Sequence, residues 1–208
     1  MTKFLFSIIA SMAVLSATAQ KDMRQLWVDM PDSIVQYLNN TKRTEMVDFY
    51  DMGVKAETTN RLASPTVLDT LTTHYAHILL NEAARMQLAL LDTDKGDSVI
   101  CMVRTFLGEA PESVISFYNT NWQPLDANDY LESIDTLLLL QRPDTMDMDT
   151  YNKLVALIDP IMIEACYNPG EKAIEFQLST PFVTKEERRR LECIRMQRKV
   201  KWNGKKFI

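Results

Sequence analysis

Only two histidines, five glycines and three cysteines occur among 208 residues. The histidines, His74 and His77, fall at the start of an apolar stretch read as a strand, His74 to Leu80. Three residues apart on a strand, they point to opposite faces, so a joint zinc site is not expected. A serine or cysteine triad would need one of them as base, and no Gly-x-Ser-x-Gly elbow is present. Five glycines form neither a phosphate-cradling loop nor a dinucleotide fingerprint. The cysteines, Cys101, Cys166 and Cys193, match no metal spacing. Each lies beside apolar residues in or at the start of a predicted strand, which suits small buried hydrophobes. A Cys166–Cys193 bridge is the alternative in an oxidising compartment. No apolar run after residue 20 approaches the roughly 20 residues that cross a bilayer.

What is present begins with a leader. Lys3, the apolar stretch Phe4 to Leu15, and Ala17-Thr18-Ala19 are the three parts of a secretory signal in the right order. Residues 1–19 are therefore expected to be removed, leaving 189 residues that start at Gln20. No cysteine follows closely enough for a lipid anchor. The expected product is soluble, in the periplasm or outside the cell, with no transmembrane segment after cleavage. Its charge is lopsided. Residues 185–208 carry ten basic and three acidic side chains, net +7; residues 20–184 carry twelve and twenty-five, net −13. An acidic body and export argue against nucleic acid as a partner, so the basic tail is read as complementing the body.

The chain divides into two successive units, each a helix pair followed by antiparallel β-meander, an α+β plan, standing apart or joined as one continuous globular body. The first spans 20–125. Pro31-Asp32-Ser33 opens a helix, residues 44–52 form another ending at Gly53, and residues 54–73 read as an extended or irregular connection. Strands follow at 74–80, 85–91, 99–107 and 113–122. Their short links require antiparallel pairing. In the second unit, 126–208, Asp126 caps a predicted helix carrying Tyr130, Leu131, Ile134, Leu137 and Leu138. A second helix covers 149–158, and a hairpin 161–179. Thr184 to Glu187 is a capping box. A strand at 194–202 leads to Asn203-Gly204, the signature of a two-residue type I′ hairpin.

Several phrases are characteristic together: Trp27-Val28-Asp29-Met30-Pro31-Asp32-Ser33, Met46-Val47-Asp48-Phe49, Leu71-Thr72 before Tyr75, Val103-Arg104-Thr105, and Phe117-Tyr118-Asn119-Thr120-Asn121-Trp122. In these the chain resembles domain-of-unknown-function family 3256, exported proteins of Bacteroidetes. The resemblance implies export and a shared fold. The family has no established activity, so no catalytic residue comes with it.

Candidate sites are few. Asp92, Asp94 and Asp97, and again Asp144, Asp147 and Asp149, cluster as calcium ligands do, but neither loop has the EF-hand spacing; turns and a helix start explain them. No metal or other cofactor is expected. Tyr118 and Trp122, an even number apart on a predicted strand, share one face and are the best binding candidates. Five tripeptides read Asp, then Ser or Thr, then an aliphatic residue or Met, where composition gives about one by chance. They resemble the acceptor sequence of the general O-glycosylation system of Bacteroidetes. Thr145, and secondarily Thr70, sit in predicted irregular stretches where a glycan is expected. The function expected is non-catalytic binding of a partner protein or small envelope ligand. The alternative is a carboxylate-dependent hydrolase of an envelope glycan or peptide.

Overall fold

Asp22 starts the first helix, α1 (Met23–Asp29), by accepting the Gln25 N–H on its carboxylate. Pro31 stops it, because the residue before a proline is pushed out of the helical region; Met30 is extended at ψ 130°. This computed structural model describes residues 21–180 and 183–208. The expected secretory signal and its cleavage point lie outside them. Asn39 caps α2 (Asn40–Asp51), and Gly53, at φ +68°, ends it as expected.

Seven strands follow, each antiparallel to the next: β1 (Glu57–Thr59), β2 (Pro65–Leu71), β3 (Tyr75–Asn81), β4 (Ala84–Asp92), β5 (Ser98–Leu107), β6 (Pro111–Asn119) and β7 (Pro124–Leu125). The middle strands β4 and β5 are buried on both faces. On one face Met86, Leu88, Leu90 and Ile100 meet Leu26, Trp27 and Met46 of α1 and α2. On the other, Ala89, Leu91, Val99 and Cys101 join a second core with the C-terminal half. That half contains α3 (Met148–Val155), β8 (Met162–Asn168), β9 (Ala173–Ser179), α4 (Lys185–Leu191) and β10 (Arg198–Lys201); its sheet runs β10-β9-β8. The result is an α+β sandwich of helix pair, large sheet and small sheet.

Four expectations need correction. The helix expected from Pro31 is two isolated turns, Ile34 N to Pro31 O and Leu38 N to Val35 O. Buried Arg43 takes the carbonyls of Met30 and Leu38, so they are bound by a side chain instead of a helix ladder. The threonine-rich stretch 54–73, expected as an extended or irregular connection, is extended but is no mere connection, since it supplies β1 and β2 of the large sheet. β-branched residues suit strands, and Asn60 turns β1 into β2 by accepting the Leu62 and Ser64 N–H groups. Asp126 does cap, but only one 3-10 turn, Ala127–Asp129. The Tyr130 carbonyl is then taken by Phe207 N–H, and a second 3-10 turn, Thr136–Leu139, starts at Asp135. The second half therefore opens with no helix pair. Finally, Trp202 pairs with Phe207, leaving a four-residue loop in place of the type I′ turn. The Asn203 carboxamide closes it by accepting from Lys205 and Lys206 N–H, with Gly204 at φ +92°.

Candidate functional site

The helix pair stops short of β6, and the sheet face beyond it is open. Met102, Arg104 and Phe106 of β5 and Val114, Ser116 and Tyr118 of β6 rise from that face. With Ser33 and Ile34 they line a groove of about 320 Å³. Phe106 is 48% and Val114 52% exposed, although both are apolar.

The groove wall, residues 31–38, has no secondary structure of its own and is pinned by two arginines. Arg43, only 1% exposed, reaches from α2 beneath it, donating to Leu38 O at 2.6 Å and to Met30 O, and pairing with Asp32 at 3.0 Å. Burial pushes the Arg43 pKa down; the hydrogen bond to Asp32 opposes this. From the sheet side, Arg104 Nη2 donates to Ile34 O at 2.7 Å.

Tyr118 and Trp122 come together by a different route from the one expected. β6 ends at Asn119, and Trp122 sits in the following turn at φ +61°, its N–H bonded to Asn119 O. The rings still meet, 5.4 Å between centroids. Trp122 is 6% exposed and its indole N–H donates to Leu26 O at 3.0 Å. Tyr118 thus lines the groove, and Trp122 props it from inside. The groove's other residues, Arg104 above all, escaped the sequence reading. Val103-Arg104-Thr105, a lone charge in an apolar strand, was the signal.

A second cavity, about 200 Å³, lies where the large sheet meets the small one, and Arg85, Glu164, Cys166 and Glu175 help line it. Two carboxylates there would suit hydrolysis if one were held protonated. Both are engaged by cations: Glu164 by Arg85 at 2.5 Å, Glu175 by Lys199 at 2.8 Å. On the neighbouring strands Asp69 meets His77 Nδ1 at 3.0 Å, and that hydrogen bond, with one from Thr70, holds the Asp69 carboxyl below its usual range. His74 stands apart, exposed, just before β3.

The acidic clusters have local roles. Asp97 accepts from Thr93, Asp147 caps α3, and Asp149 pairs with Lys153. Among the described residues no group of three or more His, Cys, Asp or Glu is placed to hold a metal ion. All three cysteines are free, and only Cys101 is buried, which raises its thiol pKa strongly. Cys166 and Cys193 are exposed, since an outward position of β8 and the turn after α4 carry them, so neither the buried reading nor the bridge holds for them. The basic tail does meet the acidic body: Lys199 and Lys201 pair with Glu171, and Lys206 with Glu132. Thr145 is exposed in a turn before α3. Thr70, expected in a loop, lies half-buried on β2.

The architecture is that of an α+β protein with an open groove on its large sheet and, among the described residues, no helix long and apolar enough to cross a membrane. The chain belongs to the family described as "protein of unknown function (DUF3256)", which matches residues 14–207. No curated protein matches it. Among solved structures it is similar to a domain of an uncharacterized protein from Porphyromonas gingivalis W83, at 16% identity and a TM-score of 0.74, over 91% of this chain and 98% of that one. At that identity the likeness concerns the fold alone.

Proposed function

We propose that this is an exported, non-catalytic binding protein of the periplasm or cell exterior, and that the groove between the 31–38 loop and strands β5 and β6 receives a partner protein. The observation that carries this reading is the pair Phe106 and Val114, half-exposed beside Tyr118 on a sheet face that the helices leave uncovered. Apolar side chains grouped on an otherwise polar surface mark interaction sites, and a wall pinned by Arg43 and Arg104 presents them in one shape, so little ordering cost attends binding. The hydrolase alternative gains no support, because the carboxylates in the corner cavity already serve Arg85 and Lys199. Photo-crosslinking from position 114 in the native host tests the binding surface. Thr145, exposed and outside every helix and strand, is the residue we propose to carry a glycan. Its neighbour Met146 packs against the core on the face of the large sheet opposite the groove, so a glycan at Thr145 is compatible with binding.

A further inference from the structure

We infer that the groove selects a partner segment in which a carboxylate stands next to an apolar side chain, with Arg104 as the residue that reads the carboxylate. This rests on the groove being the binding surface. Arg104 is half-buried and holds one protein acceptor, the Ile34 carbonyl, on Nη2. Its Nε–H is buried without an acceptor, and no carboxylate pairs with it among the described residues. Tyr37 stands beside it with its hydroxyl pushed up by burial, so it stays neutral, and Glu112, exposed opposite Phe106 on the same face, makes no ion pair with Arg104 among the described residues. A guanidinium has five donors in a planar fork that matches the paired oxygens of a carboxylate or a phosphate, and in a peptide the carboxylate is the common one. Placed among Ile34, Met102, Phe106 and Val114 it is poorly hydrated, and an anion brought there meets it in a lower dielectric than at an open surface.

The groove's shape and remaining chemistry favour a peptide over a lipid. It is shallow, open and only about 320 Å³, room for a few side chains and not for a long acyl chain. The hydroxyls of Ser33, Ser116 and Tyr118 border it and have no hydrogen-bond partner among the described residues, which leaves them for the amide groups of an extended chain. The apolar floor takes the neighbouring side chain, and Arg104 takes the acid. Together they give orientation as well as affinity.

A test uses the full mature chain, fluorescently labelled, on an array of random short peptides, followed by anisotropy titration of the strongest binder. Bound peptides should be enriched in Asp or Glu beside Leu, Val or Phe. Arg104→Gln should weaken binding about tenfold or more, as loss of a desolvated charge contact does. Because Arg104→Gln also loosens the Ile34 wall, exposed Val114 supplies the control. Both Val114→Asp and Val114→Lys remove an apolar contact, so the charge is read from their difference: Val114→Asp should weaken the acidic peptide several-fold more than Val114→Lys does, with melting temperatures of both near that of the parent. Binding without acid enrichment, or equal effects of Asp and Lys at position 114, overturns the inference and leaves the groove a binding surface. Self-association that Val114→Asp abolishes overturns it in favour of a second copy of this chain. Absence of any peptide binding overturns both readings.

Discussion

The side-chain amide of Gln87 pairs with both main-chain groups of Tyr167: Oε1 accepts the Tyr167 N–H at 2.9 Å and Nε2 donates to its carbonyl at 3.0 Å. One carboxamide on the large sheet thus does for the edge of β8 what another strand would do. Ser113 repeats the device at Ala165, accepting its N–H at 2.9 Å and donating to its carbonyl at 3.3 Å. The small sheet stands with its edge on the face of the large one, and no edge group at these two residues is wasted. Gln87 is buried, so removing its amide strands an N–H and a C=O without water. Gln87→Leu should lower stability by about 2–4 kcal/mol, each unsatisfied buried group costing roughly 1–3. Equilibrium denaturation in urea measures this; a loss below about 1 kcal/mol would mean the pairing is replaced by solvent.

Gly204 joins the C-terminal loop to the β4–β5 turn, its carbonyl accepting the Asp94 N–H at 2.9 Å. Its φ of +92° strains any side chain, and a Cβ there would run into the Asp94 carboxylate. The Asp94 side chain is exposed and can swing aside, so the backbone strain dominates. Gly204→Val should cost about 1–2 kcal/mol. An unchanged thermal midpoint would contradict the conformation.

Thr184 and Glu187 close a reciprocal capping box on α4, with Thr184 Oγ1 accepting Glu187 N–H at 3.2 Å and Glu187 accepting Thr184 N–H at 2.7 Å. Thr184→Ala should cost about 1 kcal/mol. Hydrogen exchange of the first-turn amides of α4 should accelerate while β4 and β5 stay protected; uniform exchange rates would show that the cap does not matter locally.

If Thr145 carries a glycan in the native host, the native mature chain is heavier than the recombinant one, and Thr145→Ala removes at least part of the difference. Equal intact masses would end that proposal. Thr70, half-buried on β2, donates its hydroxyl to Asp69 at 3.1 Å, so Thr145 is the position to test first.

What the sequence disclosed follows from how local each signal is. Strands β3 to β6 were legible because alternation and turn residues are short-range, as was the capping box, which lies within four residues. The loop 31–38 was not. Its apolar spacing reads as a helix, and only a buried Arg43, which looks like any charged residue of α2, turns its carbonyls inward. The groove was half legible. Tyr118 was identified, but through a strand geometry that Trp122 does not have, and its partner wall depends on a hydrogen bond between Arg104 and Ile34, 70 residues apart. The Asp126 segment failed because competing Asx turns at Asp126 and Asp135 and the grip of Phe207 on Tyr130 override a helical apolar pattern.

Whether the groove is a binding surface is measured most directly by placing a photo-reactive residue at position 114 and irradiating cells of the native host, with Met148, an exposed apolar residue elsewhere on the surface, as the control position. A discrete adduct from position 114 that is absent from position 148, and that fades when Phe106→Ser removes the neighbouring apolar contact, is the expected result. Equal labelling from both positions, or no adduct from position 114, would contradict it.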